Sequence, residues 1–297
     1  MKKIVLAVSG GVDSIVLLAF LARLSQSQKI EQGVIVAHFD HGIRTDSAED
    51  LEFVRDLAKK YGFEFMSERG NLGGDAGEDS ARRARYNFLR RIATQESAKI
   101  ATAHHKNDII ETVAINLRRG TGWRGLAVLD SPDIWRPLLQ FDKSQILDYA
   151  KKHNLAWHED STNANQKYLR NKFRHRIATD LDDESVQQVF NLWQAQIKLK
   201  ADIDREVLKI VGKITSQTTN KNYYQRYFFA QIDQKTATEI LRYIILQNTG
   251  EILTRRALCD IWVKLKTVQP GKKIPVSKKW QIVASKTKFS FEKFTKR

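Results

Sequence analysis

Cysteine is almost absent: Cys259 is the only one in 297 residues. That excludes an internal disulfide, a cysteine-built zinc cluster and a Cys-x-x-Cys pair for handling sulfur, and leaves Cys259 the role of a small buried hydrophobe. With 4 prolines, 15 glycines and 42% apolar residues, the composition is that of a folded chain, long enough for one sizeable core plus a smaller domain. Uninterrupted apolar runs are missing too. None approaches the ~20 residues that cross a bilayer, and Met1-Lys2-Lys3 leads into an apolar stretch too short for a signal-peptide core. The expectation is a cytoplasmic protein without a membrane partner.

Acidic residues are scarce in one half only. The chain carries 50 Lys and Arg against 34 Asp and Glu, a formal +16. Residues 186–297 hold 22 basic and 8 acidic side chains, a net +14, whereas residues 1–185 are nearly balanced. A general drift toward lysine would be uniform, so the asymmetry points to a polyanion met by the C-terminal part, nucleic acid before membrane.

Against these absences stands one short segment, Ser9-Gly10-Gly11-Val12-Asp13-Ser14, between an apolar run (Ile4 to Val8) and a helix-patterned one starting at Ile15. A strand ending in two glycines lets backbone N–H groups approach an anion, and the following helix aims its positive end at the same point. This reads as a seat for a nucleotide's pyrophosphate; the plain alternative is an ordinary strand-to-helix turn. No Walker lysine is present, so the segment is not a P-loop of the kinase or GTPase type.

Further apolar runs at Val34 to Phe39, Phe63 to Met66 and Ile100 to Ala103, with a short extended piece at Ile134 to Leu139, alternate with helical patterns after Asp13, Asp46, Ser80, Asp108 and Lys143. The alternation predicts an α/β, Rossmann-like, mostly parallel sheet flanked by helices, with ligands beyond the carboxyl ends of its strands. From about Ser185 the spacing becomes helical. Two domains are therefore expected: residues 1–185, which bind the nucleotide, and residues 186–297, smaller, basic and mainly helical, with a strand-like, lysine-rich segment after Pro270. Gly120-Thr121-Gly122-Trp123-Arg124-Gly125 satisfies GxGxxG but follows a helix, which rules out a dinucleotide fold there. Trp193 and Trp262 are expected to pack helices; Trp123, Tyr223, Tyr224, Arg226 and Tyr227 are candidates for RNA contact.

The Ser9–Ser14 segment has the SGGxDS form of the adenylating ATP pyrophosphatases, the PP-loop family. Three more segments sharpen the resemblance: His38 to Arg44, Ala103 to Thr112, and Glu159 to Asn163 leading to Tyr168-Leu169-Arg170-Asn171. Over residues 1–176 the chain resembles the tRNA(Ile)-lysidine synthetase branch. What that implies is adenylation by ATP, with Mg²⁺, of the C2 oxygen of the wobble cytidine in an isoleucine tRNA with a CAU anticodon. Free L-lysine then displaces AMP. A homodimer is left open.

The resemblance makes Ser9, Gly10, Gly11, Val12, Asp13 and Ser14 the ATP site, with Asp13 also the Mg²⁺ partner; an N-terminal helix carboxylate is the simpler reading of Asp13. Asp40 is the candidate catalytic carboxylate, or else a group hydrogen-bonded in a turn. Asp108 and Glu111 are expected to take the ammonium groups of lysine, though Asp-x-x-Glu also describes a capping box. Arg85 and Arg170 are candidate phosphate or transition-state partners, and Arg174 and Arg176 candidate RNA contacts. Asn107 and Ile109 stand where related chains carry Asp and Gln, and have no role from the sequence. Zinc on His38 and His41 is disfavoured for want of further ligands. Another adenylating tRNA-modifying enzyme (sulfur transfer or amidation) and a noncatalytic nucleotide-sensing RNA-binding protein are the competing readings.

Overall fold

The computed structural model describes residues 3–27, 33–42, 47–70, 78–158, 173, 181–218 and 221–294. The chain divides into two compact units, 1–197 and 198–297.

In the first unit, strands β1 (Ile4–Ala7), β2 (Val34–Asp40), β3 (Glu64–Arg69), β4 (Lys99–Ala101) and β5 (Ile134–Trp135) form one parallel sheet in the order β3-β2-β1-β4-β5. The inner strands read as continuous apolar runs because both faces are covered, and the first six residues of β2 are all buried. Edge strand β3 instead has no buried residue, only exposed and half-buried ones. Helices α1 (Val12–Gln26), α2 (Ser47–Lys60) and α5 (Lys143–Lys152) pack on one face, around Leu6, Val16, Leu18, Val36, Val54 and Ile146. On the other face α3 (Glu78–Gln95) lays Tyr86, Phe88, Leu89 and Ile92 on Val5, Ile35 and Ile100. Helix α4 (Lys106–Arg118) leads into a short 3₁₀ turn, Trp123–Leu126, so the GxGxxG string does follow a helix. The strand order reverses between β1 and β4. In open sheets of this kind the crevice at that reversal, beyond the carboxyl ends, is where ligands bind.

The long helix α6 (Asp183–Ile214) begins in the first unit and ends in the second. The second unit adds α7 (Phe228–Gln231), α8 (Gln234–Thr249) and α9 (Arg255–Thr267), and an antiparallel sheet of β6 (Thr215–Thr218), β7 (Lys221–Gln225), β8 (Lys273–Pro275), β9 (Trp280–Ala284) and β10 (Lys288–Lys293) in the order β6-β7-β10-β9-β8. Phe229, Phe289, Ile240, Leu241, Leu258 and Ile282 form its core. The strand-like reading after Pro270 corresponds to β8 to β10. The hairpin β6–β7 was not foreseen, because Thr215-Ser216-Gln217-Thr218 and Lys221-Asn222 carry no apolar alternation. Trp193 and Trp262 pack as expected, their indoles donating to Val128 O (2.8 Å) and Phe229 O (2.9 Å) respectively.

Two RNA candidates are corrected. Tyr224 is 3% exposed, packed at a tilt against the Phe289 ring, and its hydroxyl accepts from Asn248 Nδ2 at 2.7 Å. Arg226 gives its guanidinium to the backbone carbonyls of Leu265 (2.6 Å), Ser285 (2.9 Å) and Val268. Neither side chain is presented to a partner, whereas Tyr227 is 68% exposed.

Candidate active site

The turn after β1 is built to keep amides open. Gly10 has φ +94°, a conformation that costs a side-chain-bearing residue dearly. Gly11 caps α1 without a side-chain acceptor. Ser14, buried beneath the turn, stiffens it: its hydroxyl accepts from Ser9 N (3.2 Å) and donates to Gly11 O (2.8 Å). The N–H groups of Val12 and Asp13 have no acceptor among the described residues. Unpaired amides at the positive end of a helix form an anion seat.

Residues within α2 and just after α5 brace the same turn. His158 N donates to Gly10 O (3.1 Å), its ring stacks on Phe53 at 4.2 Å between centroids, and its Nδ1 lies 2.6 Å from Asp50 Oδ1. Neither His158 nor Asp50 is signalled by the sequence, since nothing local marks a residue that supports a turn 148 or 40 positions away.

Across the crevice, α4 and α5 begin beside α1. Lys143 Nζ lies 2.6 Å from Asp13 Oδ1, and Lys143 N donates to Asn107 Oδ1 at 3.0 Å. The buried His105 ring joins the two carboxylates, with Nε2 3.8 Å from Asp13 Oδ1 and 3.6 Å from Asp108 Oδ2. Asp108 Oδ2 also accepts from His105 N at 2.9 Å, so Asp108 does cap α4, but as the third residue of the helix reaching back to His105 and not as the first member of an Asp108–Glu111 box. Its carboxylate is 13% exposed at the crevice. Glu111, one turn further along, is buried at 2%. Asn107, without a role in the sequence, pins the start of α5 to the start of α4. Ile109 is fully buried in a cluster with Val113, Val128 and Phe190, which makes it a packing residue.

Asp40 ends β2 and sits in a turn: Oδ1 accepts from Gly42 N (2.8 Å), Oδ2 faces Arg69 Nε (3.3 Å), and its carbonyl accepts from Gly70 N (2.7 Å). A Cβ at Gly42 would lie 2.5 Å from Gly70 O, so only glycine fits. His38 Nδ1 is bonded to Val8 O at 2.9 Å, and burial lowers its pKa. Arg85 is half-buried on α3, with its guanidinium 5.6 Å from the Tyr86 ring centre. Together with Arg136 and Arg82 it adds positive charge around His104, whose Nδ1 is 2.8 Å from Thr102 Oγ1. Burial, assisted by these arginines and opposed by Asp108, pushes the His104 pKa down to about 3. Arg136 is itself buried, its Nη1 donating to Leu129 O at 2.8 Å. The remaining sites, Arg170, Arg174 and Arg176, lie outside the described residues, as does the segment Glu159 to Asn171.

With this geometry in place, comparison with known proteins gives a match to the PP-loop domain over residues 1–181. The chain belongs to the PP-loop domain family. Among curated relatives, the tRNA(Ile)-lysidine synthase of Thermotoga maritima is 36% identical over 265 residues, 84% of this chain and 62% of that protein. The tRNA(Ile)-lysidine synthase of Nitrosomonas europaea is 29% identical over 90% of this chain and 60% of that protein. The chain thus spans less than two thirds of the length of these relatives. Among solved structures, the U34-tRNA thiolase NcsA from Methanococcus maripaludis superposes with a TM-score of 0.55 at 18% identity, covering 67% of this chain and 71% of that one. That likeness bears on the fold alone. The PP-loop assignment accounts for the glycine turn, and among the described residues no helix is long and apolar enough to cross a membrane.

Proposed function

We propose that this chain carries out ATP-dependent ligation of lysine to C2 of the wobble cytidine of an isoleucine tRNA, in two steps. The cytidine C2 oxygen attacks the α-phosphorus of ATP and pyrophosphate leaves. The neutral ε-amine of lysine then attacks C2, loses a proton, and the oxygen departs with AMP. A carbonyl oxygen is a poor leaving group; its adenylate is a good one, and the reaction needs positive charge where the phosphates separate.

The observation that carries this reading is the meeting of the glycine turn with Asp108 at the sheet's reversal point, in a PP-loop chain similar to lysidine synthases over most of its length. The open amides of Val12 and Asp13 fit a nucleotide's phosphate. Asp108 and Glu111 would hold the two ammonium groups of lysine, carboxylate to ammonium, with Asp108 keeping its cap on α4. Asp40 would take the proton from the attacking amine, whose ordinary pKa of about 10.4 keeps it charged and inert. Arg85 and Arg170 would neutralise the adenylate, and Arg174 and Arg176 would contact RNA phosphates.

The residues present fit Mg²⁺ in one way only. Among the described residues no cluster of His, Cys, Asp and Glu forms a metal cage, and Asp13 Oδ1 faces Lys143. Asp13 Oδ2 and phosphate oxygens would then hold the ion, in keeping with magnesium's preference for few carboxylates plus substrate oxygens. When bound it neutralises charge on the phosphates.

The test is incubation with ATP, labelled lysine and total tRNA, followed by nucleoside mass analysis. A lysine adduct on cytidine, formed only when all three are present, is the expected result. Sulfur incorporation or ATP binding without turnover would overturn the proposal.

A further inference from the structure

We propose that Lys143 supplies the phosphate-neutralising cation that the PP-loop lacks in its own sequence, reaching the β- and γ-phosphate oxygens of ATP from the start of α5, with the Asp13 carboxylate aiming it. The inference rests on the assignment of the glycine turn as a nucleotide site, and names one more residue of it.

Three observations carry it. The first is position: Lys143 Nζ lies 2.6 Å from Asp13 Oδ1, and Asp13 is the second residue of α1, beside the open amides of Val12 and Asp13. An ammonium held there is within one side-chain swing of anything those amides grip. The second is support. The backbone of Lys143 is fixed by Asn107 Oδ1 at 3.0 Å. Asp142, just before it, closes a reciprocal cap with Gln145, accepting from Gln145 N at 2.9 Å while Gln145 Oε1 accepts from Asp142 N at 3.0 Å. The lysine is therefore placed by two elements, while its side chain remains 39% exposed and able to change partner.

The third is energetic. Lys143 is the first residue of α5, where the helix dipole disfavours a cation. Lys106 holds the same position in α4, but its ammonium turns away onto the Phe190 ring and Gln187. Lys143 turns instead toward α1, so the starts of α1, α4 and α5 and one ammonium gather around the turn. Positive potential from these helix starts meets the carboxylates of Asp13, Asp108 and the Asp142 cap. A salt bridge serving stability alone would sit better at the other end of α5. An ammonium donor to a multiply charged phosphate forms a strong charge-assisted hydrogen bond, and a loop without a lysine of its own has none to give.

The experiment is calorimetric titration of the full chain with inorganic pyrophosphate and with ATP and magnesium, for wild type, Lys143→Gln and Lys143→Arg, with thermal unfolding of each. Lys143→Gln is expected to weaken pyrophosphate binding about 10- to 100-fold, the range for losing a hydrogen bond between charged groups, while Lys143→Arg keeps affinity within about threefold because charge and donors remain. Unchanged pyrophosphate affinity in folded Lys143→Gln overturns the inference and leaves the nucleotide site standing. Failure of the wild type to bind either ligand overturns the site assignment itself, and this inference with it. Should Lys143→Gln not fold, lysine acetylation of the wild type decides. Pyrophosphate is expected to protect the Lys143 amine while exposed Lys59 and Lys60 react as before, and equal labelling of Lys143 with and without pyrophosphate sinks the idea.

Discussion

Lys143 in the first unit and Arg226 in the second are both cations held by short contacts, yet their partners differ in kind. Lys143 faces a single carboxylate at a place where three helices begin. Arg226 is spent on the main chain: Leu265 and Val268 at the end of α9, and Ser285 between β9 and β10. Its own N–H donates to Thr287 O at 2.8 Å. One contact can exchange a carboxylate for a phosphate without loss of a backbone partner. The other cannot be given up without stranding carbonyls. Net charge therefore overstates what the second unit has for a polyanion, because part of its basic count is structural. Arg226 staples loops, and Lys273 pairs with Glu292 at 2.7 Å.

The comparison breaks most sharply at Arg226. Arg226→Ala leaves several carbonyls short of a donor, each costing about 1–3 kcal/mol where water cannot replace it. The expected loss is about 3 kcal/mol of unfolding free energy, read by urea denaturation, with faster amide exchange in α9 and β10. Pyrophosphate affinity should not follow it down. If Arg226→Ala unfolds like wild type and loses tRNA affinity instead, the arginine belongs to an RNA surface and the contrast fails.

Next in size is Asp108→Asn. An amide oxygen can still accept from His105 N, so the cap on α4 survives while the negative charge goes. Under the lysine-binding proposal KM for lysine rises about 10- to 100-fold, the worth of a charged hydrogen bond, with little change in melting temperature. An unchanged KM would reduce Asp108 to its cap.

The same contrast governs how much could be read in advance. The parallel sheet was legible because strands buried on both faces are written as unbroken apolar runs, such as Val34 to Phe39, and because Gly10-Gly11 marks a turn that only small residues can make. Helix α5 was legible from its apolar spacing. The antiparallel sheet was half legible: Ile274, Trp280, Ile282, Phe289 and Phe291 betray β8 to β10, but polar β6 and β7 take their place only through their neighbours. Within the site, Asp40 stands out as a carboxylate at a strand end, and Asp13 and Asp108 as carboxylates in the first turns of helices. Lys143, Asn107 and His158 do not, for their roles arise from contacts between residues 36 to 148 positions apart. Arg226 shows the converse error. A basic residue among tyrosines resembles an RNA contact until the carbonyls around it are known.

Histidine offers the last and smallest lever. All seven lie in the first unit, and none in residues 198–297. Burial holds the His104 pKa at about 3 in the folded chain, against an ordinary value near 6.5, and shifts buried His38 in the same direction. Between those values the unfolded chain binds a proton at His104 that the folded one refuses, so stability is full above pH 6.5 and falls as pH drops toward 3. One such group gives a slope of at most about 1.4 kcal/mol per pH unit. In the second unit the groups shifted downward are carboxyls: Asp233, held by the Thr236 hydroxyl, and Glu292, held by Lys273. Their contribution is present above the ordinary carboxylate range and is lost only below about pH 4.5. Hydrogen exchange between pH 6.5 and 5 should therefore show β4 and α4 loosening while α8 and β9 hold. His104→Gln should flatten the response of the first unit by about one proton, and a slope unaltered by that change would mean that the imidazole is not kept neutral by the fold.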